Sequence, residues 1–198
     1  MTPFSLLYVC TGNICRSPMA ERLTRQRLDG SERIEPGTFL VSSAGTWGHE
    51  GSSMEPFAAV ALLELGADPE GFVARELTGP QIEGADLVLT ATVEQRGLVV
   101  GMVPGAVRRT FTLKEFARLV AAVEPDPPAP SPASATEVLD RARSLVDQAV
   151  ALRGYGPRGA PGVDDVEDPY GAPLQVYREK VRDIAEAVDH LVAALVPS

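Results

Sequence analysis

The sequence predicts an α/β fold, a three-layer sandwich with a central four-stranded parallel sheet flanked by helices on both faces. Two observations predict it. Short apolar runs of strand length alternate with stretches of helical spacing, the pattern of a parallel sheet covered on both sides. The chain has 198 residues and 44% hydrophobic content, enough for one domain with a substantial core.

The elements follow in order. Phe4 to Val9 is an apolar run that reads as a buried first strand, with Cys10 at its end. Ser17 then reads as a helix N-cap with Pro18 at the first helical position, and Met19 and Leu23 continue that helix. Thr38 to Ser42 makes a short second strand after the Glu35-Pro36-Gly37 turn. Pro56 to Leu65 spaces its apolar residues as a helix that Gly66 ends. Asp86 to Thr90 gives the third strand, Ala106 to Thr110 the fourth, and Leu113 to Val123 a helix.

Composition then shifts, because the prolines of 125–132 sustain neither a helix nor an interior strand and predict a mobile surface loop. Helical spacing returns from Thr136 to Leu152, before a second glycine and proline tract over 154–162. Leu174 to Leu195 is again an amphipathic helix that must pack on the sheet. Residues 1–198 therefore read as one domain with a Pro/Gly-rich, helix-containing insertion at about 121–163.

The net charge of −9 argues against nucleic acid or an anionic membrane as partner, since phosphate backbones need a positive surface. No run approaches the roughly 20 apolar residues of a membrane span. The N-terminus enters a strand without a basic region and cleavage site, so a cytoplasmic protein is expected. Only two cysteines occur, five apart, a poor basis for disulfides and too few for a structural zinc site. Reactive thiol chemistry without metal or cofactor is the expectation. The sequence carries no signal for oligomeric state.

That thiol opens the segment Cys10-Thr11-Gly12-Asn13-Ile14-Cys15-Arg16-Ser17-Pro18. Five residues between Cys10 and Arg16 suffice to wrap backbone amides around one tetrahedral oxyanion, with Arg16 pairing two phosphate oxygens. Thiolate is the attacking species. The positive end of the following helix, the Arg16 guanidinium and a Ser17 hydroxyl are available to hold its charge. Gly12 permits backbone shapes a side chain resists, and Asn13 suits a left-handed conformation. Displacement at phosphorus also needs an acid opposite the nucleophile. Asp168, in Glu167-Asp168-Pro169-Tyr170-Gly171, is the candidate, restrained by Pro169 and flanked by the Tyr170 ring.

The run from Val9 to Glu21 resembles the signature of low-molecular-weight protein tyrosine phosphatases. Ser42-Ser43-Ala44-Gly45-Thr46, Ala74-Arg75-Glu76-Leu77 and Asp168-Pro169-Tyr170 fall in the family's order, so that most of residues 4–120 and 164–195 come under the resemblance. It implies hydrolysis of protein phosphotyrosine through a cysteinyl-phosphate on Cys10, with Arg16 binding phosphate and Asp168 as general acid. It also implies that Ser17 stabilises the thiolate, that Asn13 and Ser43 hold the loop, and that Cys15 can join Cys10 in a reversible disulfide. Tyr170 and the Trp47-Gly48-His49 segment would wall the pocket mouth.

The chain departs from the family at Phe72, where histidine often precedes Val-Ala-Arg, and at Thr90-Ala91-Thr92-Val93-Glu94. Gly171 follows Tyr170 where some members carry a second aromatic. Taken alone, Cys10 would read as a buried structural cysteine, Arg16 as a surface ion pair and Asp168 as a turn residue; the surrounding motifs reverse each reading. Three alternatives stay open. Thr11 and Gly171 resemble a protein arginine phosphatase branch. A thiol-coupled arsenate reductase uses a similar loop but needs further cysteines, and a phosphate-binding module without turnover is the third.

Overall fold

The computed structural model describes residues 2–123, 134–153 and 162–196. Its centre is a parallel sheet of four strands in the order β2-β1-β3-β4. β1 (Phe4–Cys10) pairs with β2 (Phe39–Gly45) from Phe4 opposite Phe39 to Cys10 opposite Gly45. On its other side Leu6 lies opposite Leu87 of β3 (Leu87–Thr90), and Val88 lies opposite Thr110 of β4 (Thr110–Thr112).

The alternation of side chains along β1 divides the core in two. Leu6, Tyr8 and Cys10 face a large hydrophobic cluster, whereas Leu7 and Val9 face a smaller one. Five helices bury residues in the large cluster: α1 (Arg16–Asp29), α2 (Pro56–Glu64), α5 (Leu113–Ala121), α6 (Ala135–Arg153) and α7 (Leu174–Leu195). The short α3 (Gly79–Glu83) and α4 (Val93–Met102) cover the opposite face through Ile82 and Val99. α7 matches its sequence reading because Tyr177, Val181, Ile184, Val188, Leu191 and Leu195 recur at helical spacing and are all buried.

Several boundaries differ from those the sequence predicts. The fourth strand is Thr110–Thr112, and Pro104–Arg109, expected to be mostly strand, is a 3₁₀ helix. Pro104 starts that turn with its fixed φ, and Ala106 packs under the sheet. β2 runs three residues further than expected, because its C-terminal half pairs with β1 up to Cys10. The third strand begins at Leu87, while the Asp86 side chain accepts the Ser5 N–H at 2.8 Å. α1 begins at Arg16 with Cys15 at the cap position and no side-chain cap, so Ser17 is not the N-cap. Its hydroxyl is engaged elsewhere. The sequence reading also omits α3 and α4. The predicted proline loop of 125–132 and most of the 154–162 tract lie outside the described residues.

α6 ends in a defined anchor. Arg153 donates from Nε to Glu115 Oε1 at 2.9 Å and from Nη2 to the Thr110 carbonyl at 2.7 Å, with its guanidinium 3.8 Å from the Phe111 ring centroid. Among the described residues no helix is long and apolar enough to cross a membrane.

The strand order positions the site. The chain leaves β1 for β2 on one side and later returns to β3 on the other, so the loop after β1 lies where the order reverses. Crevices at the carboxyl ends of parallel strands open at such points.

Candidate active site

Cys10, 2% exposed, ends β1, and residues 11–15 loop into the N-terminus of α1. Asn13 shapes this loop. It is buried with φ of 54°, a left-handed conformation that Asn tolerates better than most residues. Its Oδ1 accepts the Arg75 N–H at 2.9 Å, and its Nδ2 donates to Ser17 Oγ at 2.9 Å and Ser43 Oγ at 2.8 Å.

A second segment closes against the loop. The carbonyls of Cys10, Thr11 and Gly12 accept the N–H groups of Thr46, Trp47 and His49 at 2.9, 3.0 and 3.0 Å. Tying carbonyls to the outside leaves successive amides to line the concave side, as anion-binding nests require. The approach is so close that a Cβ at Gly45 would collide with the Thr11 carbonyl oxygen, so only glycine fits there.

Cys10 Sγ lies 3.0 Å from Ser17 Oγ. Arg16, buried at the start of α1, donates from Nη1 to the Val166 carbonyl at 3.1 Å and from Nη2 to Asp168 Oδ2 at 2.5 Å. Its Nη2 is also 3.4 Å from Thr11 Oγ1. The loop carrying Asp168 is fixed by the Val166 N–H on the Ala91 carbonyl (2.8 Å) and by the Val93 N–H on Asp165 Oδ1 (2.8 Å). Asp168 Oδ1 accepts the Tyr170 N–H at 3.2 Å, an Asx turn that Pro169 favours.

These groups surround a cavity of about 130 Å³. Cys10, Thr11, Gly12, Ile14, Cys15 and Arg16 form its floor and sides, and His49, Asp168 and Tyr170 its mouth. Burial, with the neighbouring Cys10, Asp168 and Glu55, pushes the Cys15 thiol well above the ordinary thiol range. Both cysteines are free thiols. A thiol, a guanidinium, a ring of amides and a carboxylate around a space of phosphate size fit nucleophilic displacement at phosphorus.

Residues 5–151 match the family model described as low molecular weight phosphotyrosine protein phosphatase. The chain belongs to this family.

A protein-arginine-phosphatase from Geobacillus stearothermophilus is 29% identical over 194 residues, covering 98% of this chain and 97% of that protein. The low molecular weight protein-tyrosine-phosphatase Etp of Escherichia coli K12 is 35% identical over 112 residues, 57% of this chain and 70% of the relative. Among solved structures, the low molecular weight protein tyrosine phosphatase of T. tengcongensis superposes with a TM-score of 0.67 at 28% identity, covering 96% of this chain and 97% of the other. The YwlE arginine phosphatase of Geobacillus stearothermophilus gives a TM-score of 0.66 at 28% identity, with 96% and 90% covered. The family match runs to residue 151, into the 121–163 stretch that the sequence resemblance leaves out.

In this low-molecular-weight phosphatase the predicted residues come together with one exception. Asn13, Ser17 and Ser43 lie behind the cavity as a hydrogen-bonded support, and the other candidates line it. Trp47 does not. Its backbone joins the loop, but its side chain is 80% exposed and outside the cavity lining. Phe72, in place of the family's frequent histidine, is buried with the Arg22 guanidinium 5.8 Å from its ring centroid.

Sequence reasoning missed Gln95. From the first turn of α4 it donates to Thr11 Oγ1 at 3.0 Å while its Oε1 accepts the Thr92 N–H at 3.1 Å. The Thr92-x-x-Gln95 spacing is a capping-box signature that would have located α4 and this side chain together.

Proposed function

We propose that this chain hydrolyses phosphotyrosine in proteins through a cysteinyl-phosphate on Cys10. One observation carries the reading: Cys10, Arg16 and Asp168 line a single cavity although 152 residues separate the last two. The phosphate dianion sits on the loop amides and the Arg16 guanidinium. Cys10 thiolate attacks phosphorus, an S–P bond forms and the P–O bond breaks, and Asp168 gives its proton to the departing phenol oxygen. Asp168 then takes a proton from water as the water attacks, the S–P bond breaks, and inorganic phosphate leaves with the thiolate regenerated. Thr11, Gly12, Asn13, Ile14 and Cys15 form the cradle, Ser17 supports the sulfur, and Tyr170 and His49 flank the leaving group.

The mouth supports an aryl group. His49 and Tyr170 at the mouth, with Ile14 on the side, offer apolar and ring surfaces, and among the described residues Asp168 is the one carboxylate in the lining. A phosphoarginine leaving group would ask Asp168 both to pair with a guanidinium and to protonate it.

A protein arginine phosphatase is the second reading. It is favoured by the likeness to the Geobacillus protein-arginine-phosphatase, which extends over 98% of the chain and so takes in Asp168. Arsenate reduction lacks support because the chain has two cysteines in all. A binding module without turnover fits poorly with an intact thiol, cation and acid. We read residues 1–198 as one cytoplasmic phosphatase domain, since α6 buries Leu139, Ala142 and Leu145 in the same cluster as α7.

Turnover on aryl, alkyl and arginyl phosphates, with Cys10→Ser as control, tests the assignment. Aryl substrates are expected to lead. Preference for phosphoarginine proteins would shift the substrate to the second reading, and full activity of Cys10→Ser would remove the nucleophile.

A further inference from the structure

We propose that Arg25, remote from the cavity, is a positioning residue for Cys10: its charge holds Glu21 in place as the acceptor that ends the hydrogen-bonded chain leading to the thiol. The proposal rests on Cys10 being the nucleophile. Glu21 is a carboxylate with 2% exposure inside α1. Its Oε1 lies 2.8 Å from Arg25 Nη2 one turn later, and its Oε2 accepts the Ser43 hydroxyl at 2.6 Å. Arg25 is anchored on β2 by donating Nε and Nη2 to the Val41 carbonyl at 3.2 and 2.6 Å.

The direction follows from counting donors. A carboxylate only accepts, so Ser43 commits its single proton to Glu21 and meets Asn13 with its lone pairs. Asn13 cannot turn its amide over, because Oδ1 holds the Arg75 N–H at 2.9 Å. The remaining Nδ2 hydrogen therefore goes to Ser17 Oγ. Ser17 keeps its own proton, and Cys10 Sγ at 3.0 Å is a nearer acceptor than the Ala44 carbonyl at 3.5 Å. A hydroxyl that donates to sulfur favours the thiolate, whereas one that accepts from it does not.

Arg25 keeps the start of this chain an acceptor. A buried carboxylate without a cation takes up a proton or moves toward water. Glu21 drawn toward water would leave the Ser43 proton without its acceptor, and the ordered Ser43–Asn13–Ser17 contacts would loosen. Among the described residues, Arg25 on its own helix pairs with Glu21, and Tyr8 from β1 lies close enough to feel its charge. Burial keeps the Tyr8 phenol neutral, and its oxygen is occupied by Thr24 Oγ1 at 2.7 Å.

The test compares Arg25→Met, Arg25→Lys and Glu21→Gln/Arg25→Met with the wild type, reading kcat and KM on an aryl phosphate and the rate of Cys10 alkylation by iodoacetate. Arg25→Met should lower kcat by about tenfold or more with KM changed less than about twofold, and slow alkylation in parallel. Arg25→Lys should recover most of both, since it restores charge. The double variant should recover too, because the side-chain amide introduced by Glu21→Gln still accepts from Ser43 through its carbonyl and needs no cation. Wild-type-like rates in Arg25→Met would overturn the proposal, as would failure of the other two variants to improve on it, the outcome of a purely packing role. Absence of hydrolysis by the wild type would instead sink the phosphatase reading, with the alkylation rates still deciding the role of Arg25.

Discussion

Asp168 Oδ2 lies 2.5 Å from Arg16 Nη2, so the cavity's cation and its carboxylate are ion-paired. The Asp168 side chain is 47% exposed while Arg16 is buried, which leaves the acid the partner free to move. An incoming phosphate competes with Asp168 for the guanidinium fork. Binding thus frees the carboxyl on the side where the leaving oxygen emerges.

Asp168→Asn separates the two consequences of that pairing. For a poor phenol leaving group kcat should fall by about 10² to 10⁴-fold, and for an activated one by less than about tenfold, because only the former needs the proton. Inorganic phosphate should inhibit the variant more strongly than the wild type, since a negative charge competing for Arg16 is gone. Leaving-group series and phosphate inhibition constants check both; equal kcat losses would contradict the acid assignment.

Ser17→Ala removes the hydroxyl 3.0 Å from Cys10 Sγ. Cys10 alkylation at mildly acidic pH should slow by about tenfold, the worth of one hydrogen bond to a charged group. Unfolding temperature should change little, because Asn13 retains its bond to Ser43. Alkylation rates and thermal melts are the measurements.

Cys15 and the buried phenols of Tyr8 and Tyr177 all titrate above their ordinary ranges, with burial the main cause in each. The native state therefore holds these protons more tightly than the unfolded chain. This stabilisation is complete below the ordinary thiol and phenol values of about 8.5 and 10 and declines as pH rises beyond them. Urea midpoints should fall progressively above that range. At neutral pH, peptide mapping after brief iodoacetamide treatment should find Cys10 modified and Cys15 intact.

Arg153→Ala should destabilise the fold by about 2 kcal/mol, since it takes one of the two cations from the mostly buried Glu115, leaving it Arg96, and uncovers the Phe111 ring. Activity per folded molecule should persist. Chemical denaturation with parallel kinetics distinguishes this from a role in the cavity.

How much of this was legible in the sequence depended on whether the information was contiguous. β1, the loop from Cys10 to Ser17 and α7 could be read because apolar period, nucleophile and turn residues lie side by side. α4 was not, because Val93, Leu98 and Met102 are largely exposed and Gly97 and Gly101 interrupt the helix, so no apolar stripe marks it. β4 was misplaced because three residues buried on both faces carry no alternation. In the site, the family resemblance implies Trp47 as a wall of the mouth, but only its backbone meets the loop and its side chain is exposed to solvent. Gln95 and the Val166 carbonyl act through space, and the role of Glu21 rests on its burial, which no sequence pattern carries.

The central claim is that phosphorus is transferred to Cys10 sulfur. Rapid quenching during turnover of an aryl phosphate with an activated leaving group, followed by mass spectrometry of the Cys10 peptide, tests it directly. The expected result is a phosphate adduct on Cys10 that accumulates in Asp168→Ala, where water lacks its base, and is absent in Cys10→Ser. An enzyme that turns over with no adduct on Cys10, or a Cys10→Ser variant that keeps full activity, would contradict it.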